Sequence, residues 1–233
     1  MIRIIFRTCD KVESLHGLQR PFGADKKEII KACYSSLIKS MKGMDYKMYI
    51  VADDVSDEIL DFLTKENPEK VINKKMGNDG SLRECFNLAK TFDDKDLVYF
   101  VEDDYLHTPI FQVCFKDFER YQFDLLIHPT DYPDQYTRED LIIRSYVLLG
   151  SFFHYREVSS TTFTFITKVE ILKKHFEHFI ASCEGANDAK LSEIRKKNVL
   201  ILSPLPGVAT HLHIGTMGLY VNWEEVFKWA KSK

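Results

Sequence analysis

The sequence predicts an α/β fold: a mostly parallel central sheet with flanking helices and a smaller antiparallel sheet. In the first half of the chain, short apolar runs alternate with stretches whose apolar residues follow helical spacing. This alternation is typical of strand–helix units that build a parallel sheet. In the second half, residues 146–158 and 161–167 are rich in β-branched and aromatic residues, which favours antiparallel strands.

The first half contains four predicted strands, separated by helices. The apolar runs predict strands at residues 2–6, 46–52, 70–73 and 97–101. A helix is expected from Lys26 to Met41, and Ser56 has the features of an N-cap for a second. Ser81 and Glu84 have capping-box spacing, so a third helix should begin near Ser81, after a tight glycine loop at residues 77–80 whose backbone amides face a ligand.

The second half continues with a strand at residues 123–127 and then the antiparallel segments. Two helical patterns follow, over residues 169–179 and 189–197, and a last strand is expected at 199–202. Asn222 has the spacing to cap a terminal helix. No repeat or linker divides the chain, so we expect one domain, with a donor half at residues 1–107 and an acceptor half at residues 108–233.

Composition narrows the functional classes. The chain has 233 residues and a net charge of −3, which does not favour a nucleic-acid-binding surface. Its five cysteines form no CxxC pair and mostly lie in apolar patterns, as buried thiols in a reducing compartment do. No apolar run approaches the ~20 residues that a transmembrane helix needs. These features lead us to expect a cytoplasmic protein, and attachment to the surface of a membrane stays open.

Three groups of polar residues follow predicted parallel strands. They are residues 7–10, Asp53-Asp54 and Glu102-Asp103-Asp104. Ligands of parallel α/β sheets bind beyond the carboxyl ends of the strands, where these groups should converge. Carboxylate oxygens suit hard divalent cations, so the acidic triplet is a candidate cation site.

These segments resemble the GT-A class of nucleotide-sugar glycosyltransferases, and within it the broad family 2-like group. The matching segments are FRTCD, VADD, GNDGSLRECFNLAK and YFVEDD, the last as the DxD element. The resemblance covers the first half closely and the second half in outline. It implies a GT-A fold and a transferase of the hexosyltransferase type, which uses Mn²⁺ or Mg²⁺ to bind the diphosphate of a nucleotide-sugar donor.

The resemblance also assigns roles to individual residues. Asp104 corresponds to the acid that binds the metal, and the remaining matches correspond to donor-binding positions. Among these, Glu102 and Asp103 support the metal or face the ribose. Asp53 accepts hydrogen bonds from the base or ribose, and Thr8 lies beneath the base. Arg7 and Arg83 assist at the diphosphate. As the leaving diphosphate gains negative charge, a carboxylate-bound cation would neutralise it.

An inverting transferase also needs a carboxylate that takes a proton from the acceptor hydroxyl. The family places this base at a helix start beyond the antiparallel strands, and Asp188 matches that position, with Glu184 as the competing candidate. Members of the class often complete the metal site with a histidine near the C-terminus. His211 and His213 point to the same face if their segment is extended, so both are candidate ligands, with His211 preferred.

The resulting expectation is a metal-dependent, inverting glycosyltransferase that acts on a nucleotide-sugar donor and a glycan, lipid-linked or protein-linked acceptor. One alternative is a sugar-phosphate nucleotidyltransferase, although FRTCDKVES lacks the glycines of the loop that such enzymes use on a triphosphate. A second is a non-catalytic nucleotide-sugar or glycan-binding module. A third is a metallohydrolase that uses His211 and His213 and needs no sugar acceptor.

Overall fold

The computed structural model describes residues 1–11 and 19–232. It contains a large mixed sheet, a small antiparallel sheet and helices on both faces. The strands are β1 Ile2–Thr8, β2 Tyr46–Asp53, β3 Lys70–Lys74, β4 Leu97–Glu102, β5 Tyr105–His107, β6 Leu125–Ile127, β7 Val147–Leu149, β8 His154–Glu157, β9 Phe165–Lys168, β10 Leu200–Leu205 and β11 Ala209–His211. The helices are α1 Lys26–Ser40, α2 Asp57–Thr64, α3 Gly77–Ala89, α4 Val113–Phe118, α5 Asp134–Thr137, α6 Val169–Lys174, α7 Phe176–Ser182, α8 Asp188–Ser192 and α9 Trp223–Lys231.

The large sheet has the strand order β3-β2-β1-β4-β9-β6-β10-β8-β7. Strands β3, β2, β1 and β4 are parallel, β9 runs antiparallel to β4 and β6, and β10 returns parallel to β6. The hairpin β7–β8 closes the far edge in antiparallel register. Strands β5 and β11 form the separate small sheet. The predicted α/β fold, with its mostly parallel sheet and a smaller antiparallel one, is confirmed.

Alternating side chains of the central strands fill two apolar layers, as the period of a strand requires. In β1, Ile4 and Phe6 pack into the layer beneath α1 and α2, whereas Ile5 packs into the layer beneath α3, α6 and α7. The side chains of strand β4 alternate between the same two layers, and all of its residues except Glu102 are buried. The central strands are therefore covered on both faces.

One local expectation is wrong, and one strand was missed. Helix α3 begins at Gly77 and not near Ser81, because Asp53 accepts hydrogen bonds from the Met76 and Gly77 backbone amides, at 2.6 and 2.9 Å. The Gly77 amide, one of those expected to face a ligand, is thus bonded within the protein. Strand β5, directly after the acidic triplet, was not expected from the sequence. Among residues 1–11 and 19–232, the structure has no helix long and apolar enough to cross a membrane.

Phe86 tests the second apolar layer, because its ring packs against those of Phe100, Phe165 and Phe179 at centroid distances of 4.9, 6.5 and 5.3 Å. We expect Phe86→Ala to lower the free energy of unfolding by about 3–5 kcal/mol, because it removes buried surface and leaves a cavity. The matched control is Phe123→Ala, whose side chain is 41% exposed and should cost far less. Denaturant titration measures both, and equal losses would contradict this core arrangement.

Candidate functional site

The acidic triplet lies where β4 ends, beside the carboxyl end of β1 and the small sheet. Arg7 of β1 is in register with Glu102 of β4, and Tyr105 of β5 is opposite His211 of β11. The backbone N–H of Leu212 donates to the Asp104 carbonyl at 2.8 Å, which fixes the C-terminal segment against the triplet. The expected convergence at this edge of the sheet is present.

Glu102 is paired with Arg7. The Arg7 guanidinium donates to the Glu102 carboxylate and, through Nη1, to Asn78 Oδ1 at 2.8 Å and Ser81 Oγ at 3.1 Å. Asn78 and Ser81 belong to the first turns of α3, so this helix start positions the guanidinium. Burial lowers the pKa of Arg7, but the charge and hydrogen bond of Glu102, together with Cys85 and Asp103, outweigh this effect, so the net shift is upward and the arginine stays charged.

Asp103 is the most completely bonded acid of the three. Its Oδ1 accepts from Lys26 Nζ at 2.6 Å, and its Oδ2 accepts from Thr8 Oγ1 and from the Cys9 backbone N–H, both at 2.9 Å. The Lys26 and Asp103 side chains are only 9% and 8% exposed. Buried charges are tolerated when paired and hydrogen-bonded in this way. The structure thus shows Asp103 and Thr8, both predicted donor-binding residues, joined to each other and to the start of α1.

Asp104 faces two imidazoles. Its Oδ2 lies 3.1 Å from His211 Nε2 and 3.2 Å from His213 Nε2. The His211 ring also stacks on Tyr105, with centroids 5.0 Å apart and planes inclined by 7°. The residues named as metal ligands from the sequence are therefore adjacent.

Asp104 and His211 each favour the charged form of the other. Burial opposes ionisation of Asp104, but His211, His213 and Lys26 lower its pKa well below the usual range. Burial likewise disfavours the charged form of His211, yet the Asp104 carboxylate raises its pKa overall. Asp104 is thus held as a carboxylate, the form that binds cations.

The group fits a divalent cation in both chemistry and spacing. One ligand atom from each of the three side chains lies within 4.8 Å of the others, and a carboxylate with two imidazoles is an acceptable donor set for Mn²⁺. Adjacent ligands of an octahedral ion with bonds of about 2.1 Å lie roughly 3 Å apart. The oxygen–nitrogen distances of 3.1 and 3.2 Å already match that spacing.

Asp188 is the first residue of α8, which Asn187 caps by accepting from the Lys190 backbone N–H at 2.8 Å. Asp188 is an exposed residue, although protein atoms close to its carboxyl group partly desolvate it. This desolvation raises the pKa of Asp188 to about 7, the negative charge of Glu102 adds to the shift, and His211 and Arg7 oppose it. These interactions place the predicted base close to the triplet, with a pKa suited to proton transfer near neutral pH.

Two tyrosines at this site were not found from the sequence. The Tyr105 hydroxyl is 2.5 Å from that of Tyr132 and 2.7 Å from Thr162 Oγ1. The pKa of Tyr132 is raised mainly by burial, and the charges of Asp188, Glu102 and Asp104 add to the shift. Tyr132 therefore lies among the acids, and the Tyr105 ring supports His211. Lys26 and Asn78 were missed as well, because only the folded chain brings them to the triplet.

The two remaining predicted donor-binding residues differ in position. Asp53 lies at the end of β2 and caps α3, as described above. Arg83 is half-buried on α3 and lies near Cys183, whose pKa is raised by burial to about 11 against the opposing charge of Arg83. Their contacts with a donor stay predictions. The residues that the structure brings together around the triplet are Arg7, Thr8, Glu102, Asp103, Asp104, Asp188, His211 and His213.

No protein-family model matches the chain, and comparison with curated proteins finds no match either. Solved structures do match. S. aureus TarS has 14% identity and a TM-score of 0.54, with 87% of this chain and 35% of TarS covered. An active-site mutant of LgtC, itself described as a galactosyltransferase, has 10% identity and a TM-score of 0.50, with 85% and 72% covered. A CMP-2-keto-3-deoxy-manno-octonic acid synthetase complexed with CTP has 11% identity and a TM-score of 0.48, with 89% and 92% covered.

The matches to TarS and LgtC show that the chain has the GT-A fold of nucleotide-sugar glycosyltransferases, as its sequence motifs predict. At 14% and 10% identity they establish the fold and leave the activity to be argued from the site. The chain also spans only 35% of TarS, so the activity of that longer protein does not transfer with the fold.

The Lys26–Asp103 pair yields a stability prediction. Lys26→Met leaves a buried carboxylate without its counter-charge, and we expect the free energy of unfolding to fall by about 3–5 kcal/mol. The neighbouring Lys27 pairs with the exposed Glu58 and is itself 42% exposed, so Lys27→Met should change stability by less than about 1 kcal/mol. Denaturant titration of the two variants measures the difference. Similar small losses would show that Thr8 and Cys9 alone satisfy Asp103.

Proposed function

We propose that the protein is a metal-dependent glycosyltransferase of the hexosyltransferase type, which moves a sugar from a nucleoside-diphosphate donor to an acceptor hydroxyl with inversion. The observation that carries this proposal is the arrangement of Asp104, His211 and His213 at the carboxyl end of β4, with Asp188 nearby. The group would combine a cation site with a carboxylate whose pKa suits a general base. Both lie where ligands of parallel α/β sheets bind.

Asp104, His211 and His213 would hold Mn²⁺ or Mg²⁺, which when bound supplies positive charge to the donor diphosphate. Arg7 offers a permanent positive charge beside this site and is fixed by Glu102, Asn78 and the Ser81 hydroxyl. Lys26 adds a buried positive charge at Asp103. Preorganised charges of this kind stabilise a leaving diphosphate without having to reorganise during the reaction.

Asp188 would take the proton from the acceptor hydroxyl. A general base works best when its pKa is close to the operating pH, and the crowding of Asp188 together with the Glu102 charge gives it that property. With the base provided by the protein, the acceptor oxygen attacks the sugar carbon from the side opposite the leaving diphosphate, which inverts the configuration at that carbon. The proton then stays on Asp188 until solvent removes it.

Calorimetric titration with uridine, guanosine, thymidine and cytidine diphosphates, with and without Mn²⁺, tests the donor site. We expect one nucleotide to bind in a metal-dependent way. Its affinity should fall at least about 10–100-fold in Asp104→Asn, because even indirect partners of a metal contribute that much. Asp45→Asn is the control, since Asp45 is exposed in the turn before β2 at the opposite end of the sheet. If the parent protein binds none of the four nucleotides, the proposed function is wrong.

Asp188→Asn tests the base. We expect kcat to fall by about 10²–10⁴-fold while nucleotide binding is kept, since the amide cannot accept the proton. If Glu184→Gln causes the loss instead, the assignment of the base is wrong. If the unsubstituted parent protein binds nucleotide but transfers no sugar, the protein is a binding module. Sugar release with no acceptor present would favour a hydrolase.

The pH dependence of the parent enzyme has a defined sign. Asp188 must be ionised to act, so kcat/KM should fall as the pH drops below its pKa of about 7. The midpoint should lie at or below that value, because a bound cation favours the carboxylate. The other charged or titratable groups acting on this centre are Glu102, Arg7, His211 and Tyr132. The rate of sugar transfer across pH measures the profile, and a rate that rises on acidification would contradict a base.

A further inference from the structure

Tyr136 of α5 presents a rigid aromatic ring at the surface. Its hydroxyl donates to the Asp131 carboxylate, with oxygen–oxygen distances of 2.9 and 2.8 Å. The Arg156 guanidinium carbon lies 3.8 Å from the centre of the ring and covers one face. Arg156 in turn donates to Asp131 at 3.1 Å. Because the residue is still 42% exposed, the ring is held in place while part of it meets solvent.

Asp131 fixes this ring to the segment that carries the two imidazoles. It is fully buried, and a β-carbon built on Gly207 would lie 2.6 Å from its backbone nitrogen. Only glycine permits so close an approach. The Pro129 carbonyl also accepts hydrogen bonds from the Val208 and Ala209 backbone N–H groups, at 2.9 and 3.1 Å. Asp131, which holds Tyr136, is therefore packed directly against the start of β11.

Tyr220 adds a second aromatic ring from the same segment. It is 88% exposed, and its backbone has φ +65°, a conformation that bulky residues seldom adopt. Two residues earlier, Gly218 packs against Asp131: its built β-carbon would lie 3.5 Å from the Asp131 carbonyl oxygen. Gly218 is itself anchored by hydrogen bonds with Thr210 and Trp223, both at 2.7 Å. Burial and Asp131 raise the pKa of Tyr136, and the neighbouring Tyr220 adds to that shift.

Asp131 connects both rings to the proposed reaction centre. It holds Tyr136, packs against Gly218 two residues before Tyr220, and directly precedes Tyr132, which bonds Tyr105 and lies among the acids. Both tyrosines are exposed to solvent, 42% for Tyr136 and 88% for Tyr220. They offer a large contact area and lose little conformational entropy on binding, because a tyrosine has only two rotatable side-chain bonds.

We propose that Tyr136 and Tyr220 form a stacking subsite for a pyranose ring of the acceptor glycan. The flat C–H face of a pyranose is apolar and packs on an aromatic ring, while its hydroxyls remain hydrated at the rim. Identifying the bound sugar as the acceptor rests on the proposed function, whereas binding of the sugar does not. The inference narrows the acceptor to a molecule with a sugar ring near the hydroxyl that reacts.

Saturation-transfer NMR tests the subsite, with methyl glycosides of glucose, galactose, mannose and N-acetylglucosamine and with lactose, cellobiose and chitobiose as probes. We expect transfer from the protein to carbon-bound protons of at least one probe. It should fall at least threefold in Tyr220→Ala and in Tyr136→Leu and persist in the control Phe123→Ala, which removes a ring of matched exposure, 41% against 42%. Unchanged transfer in both tyrosine variants, or no transfer to any probe from the parent protein, would overturn the proposal.

The same samples are titrated with nucleoside diphosphates and Mn²⁺, which separates this inference from the proposed function. If tyrosine-dependent sugar binding occurs without nucleotide binding, the transferase proposal fails and the subsite stands. If nucleotides bind but saturation transfer to the sugar is unchanged in the tyrosine variants, the subsite is wrong and the donor site stands. Because Tyr220 is 88% exposed, Tyr220→Ala keeps the test independent of any loss of folding in Tyr136→Leu.

Discussion

Three consecutive carboxylates at the end of a buried strand require three separate partners, and this requirement organises the rest of the structure. Adjacent acids repel one another unless opposite charges or hydrogen-bond donors lie close by. Arg7 reaches Glu102 from the neighbouring strand, Lys26 reaches Asp103 from the first turn of α1, and the imidazoles reach Asp104 from the C-terminal segment. Residues more than a hundred positions apart are thereby brought to one edge of the sheet.

The partners differ in kind, and this difference separates the roles of the acids. Arginine and lysine carry positive charge and have no lone pair to give to a metal while they remain protonated. A neutral imidazole nitrogen, in contrast, is a metal ligand. Glu102 and Asp103 are therefore tied to cations of the protein, whereas Asp104 is held by groups that can bind a metal together with it. The sequence motif treats the three acids as one element, and the structure divides them.

Local patterns predicted the parts of this protein that depend on local physics. Apolar runs located the central strands. Both imidazoles reach Asp104, as expected, but not through an extended segment: β11 ends at His211, and a turn in which the His213 N–H donates to the His211 carbonyl brings in the second ring. The start of α3 was misplaced because its cap comes from Asp53, on another strand. Lys26 and Tyr132 were missed for the same reason: the Lys26–Asp103 contact spans 77 positions and the Tyr105–Tyr132 contact spans 27. Such pairings depend on strand order, which no local pattern encodes.

The same packing links the proposed acceptor side to the cation site. Asp131 holds Tyr136 and packs against Gly207 and Gly218, the two glycines that flank the histidine segment. The Tyr132–Tyr105 bond and the stacking of Tyr105 on His211 make a second connection. Backbone contacts and ring stacking would therefore set the spacing between a sugar on the tyrosines and a donor at Asp104, if both bind as proposed. Transfer between two bound molecules depends on their relative position to within about 1 Å, which rigid packing of this kind provides.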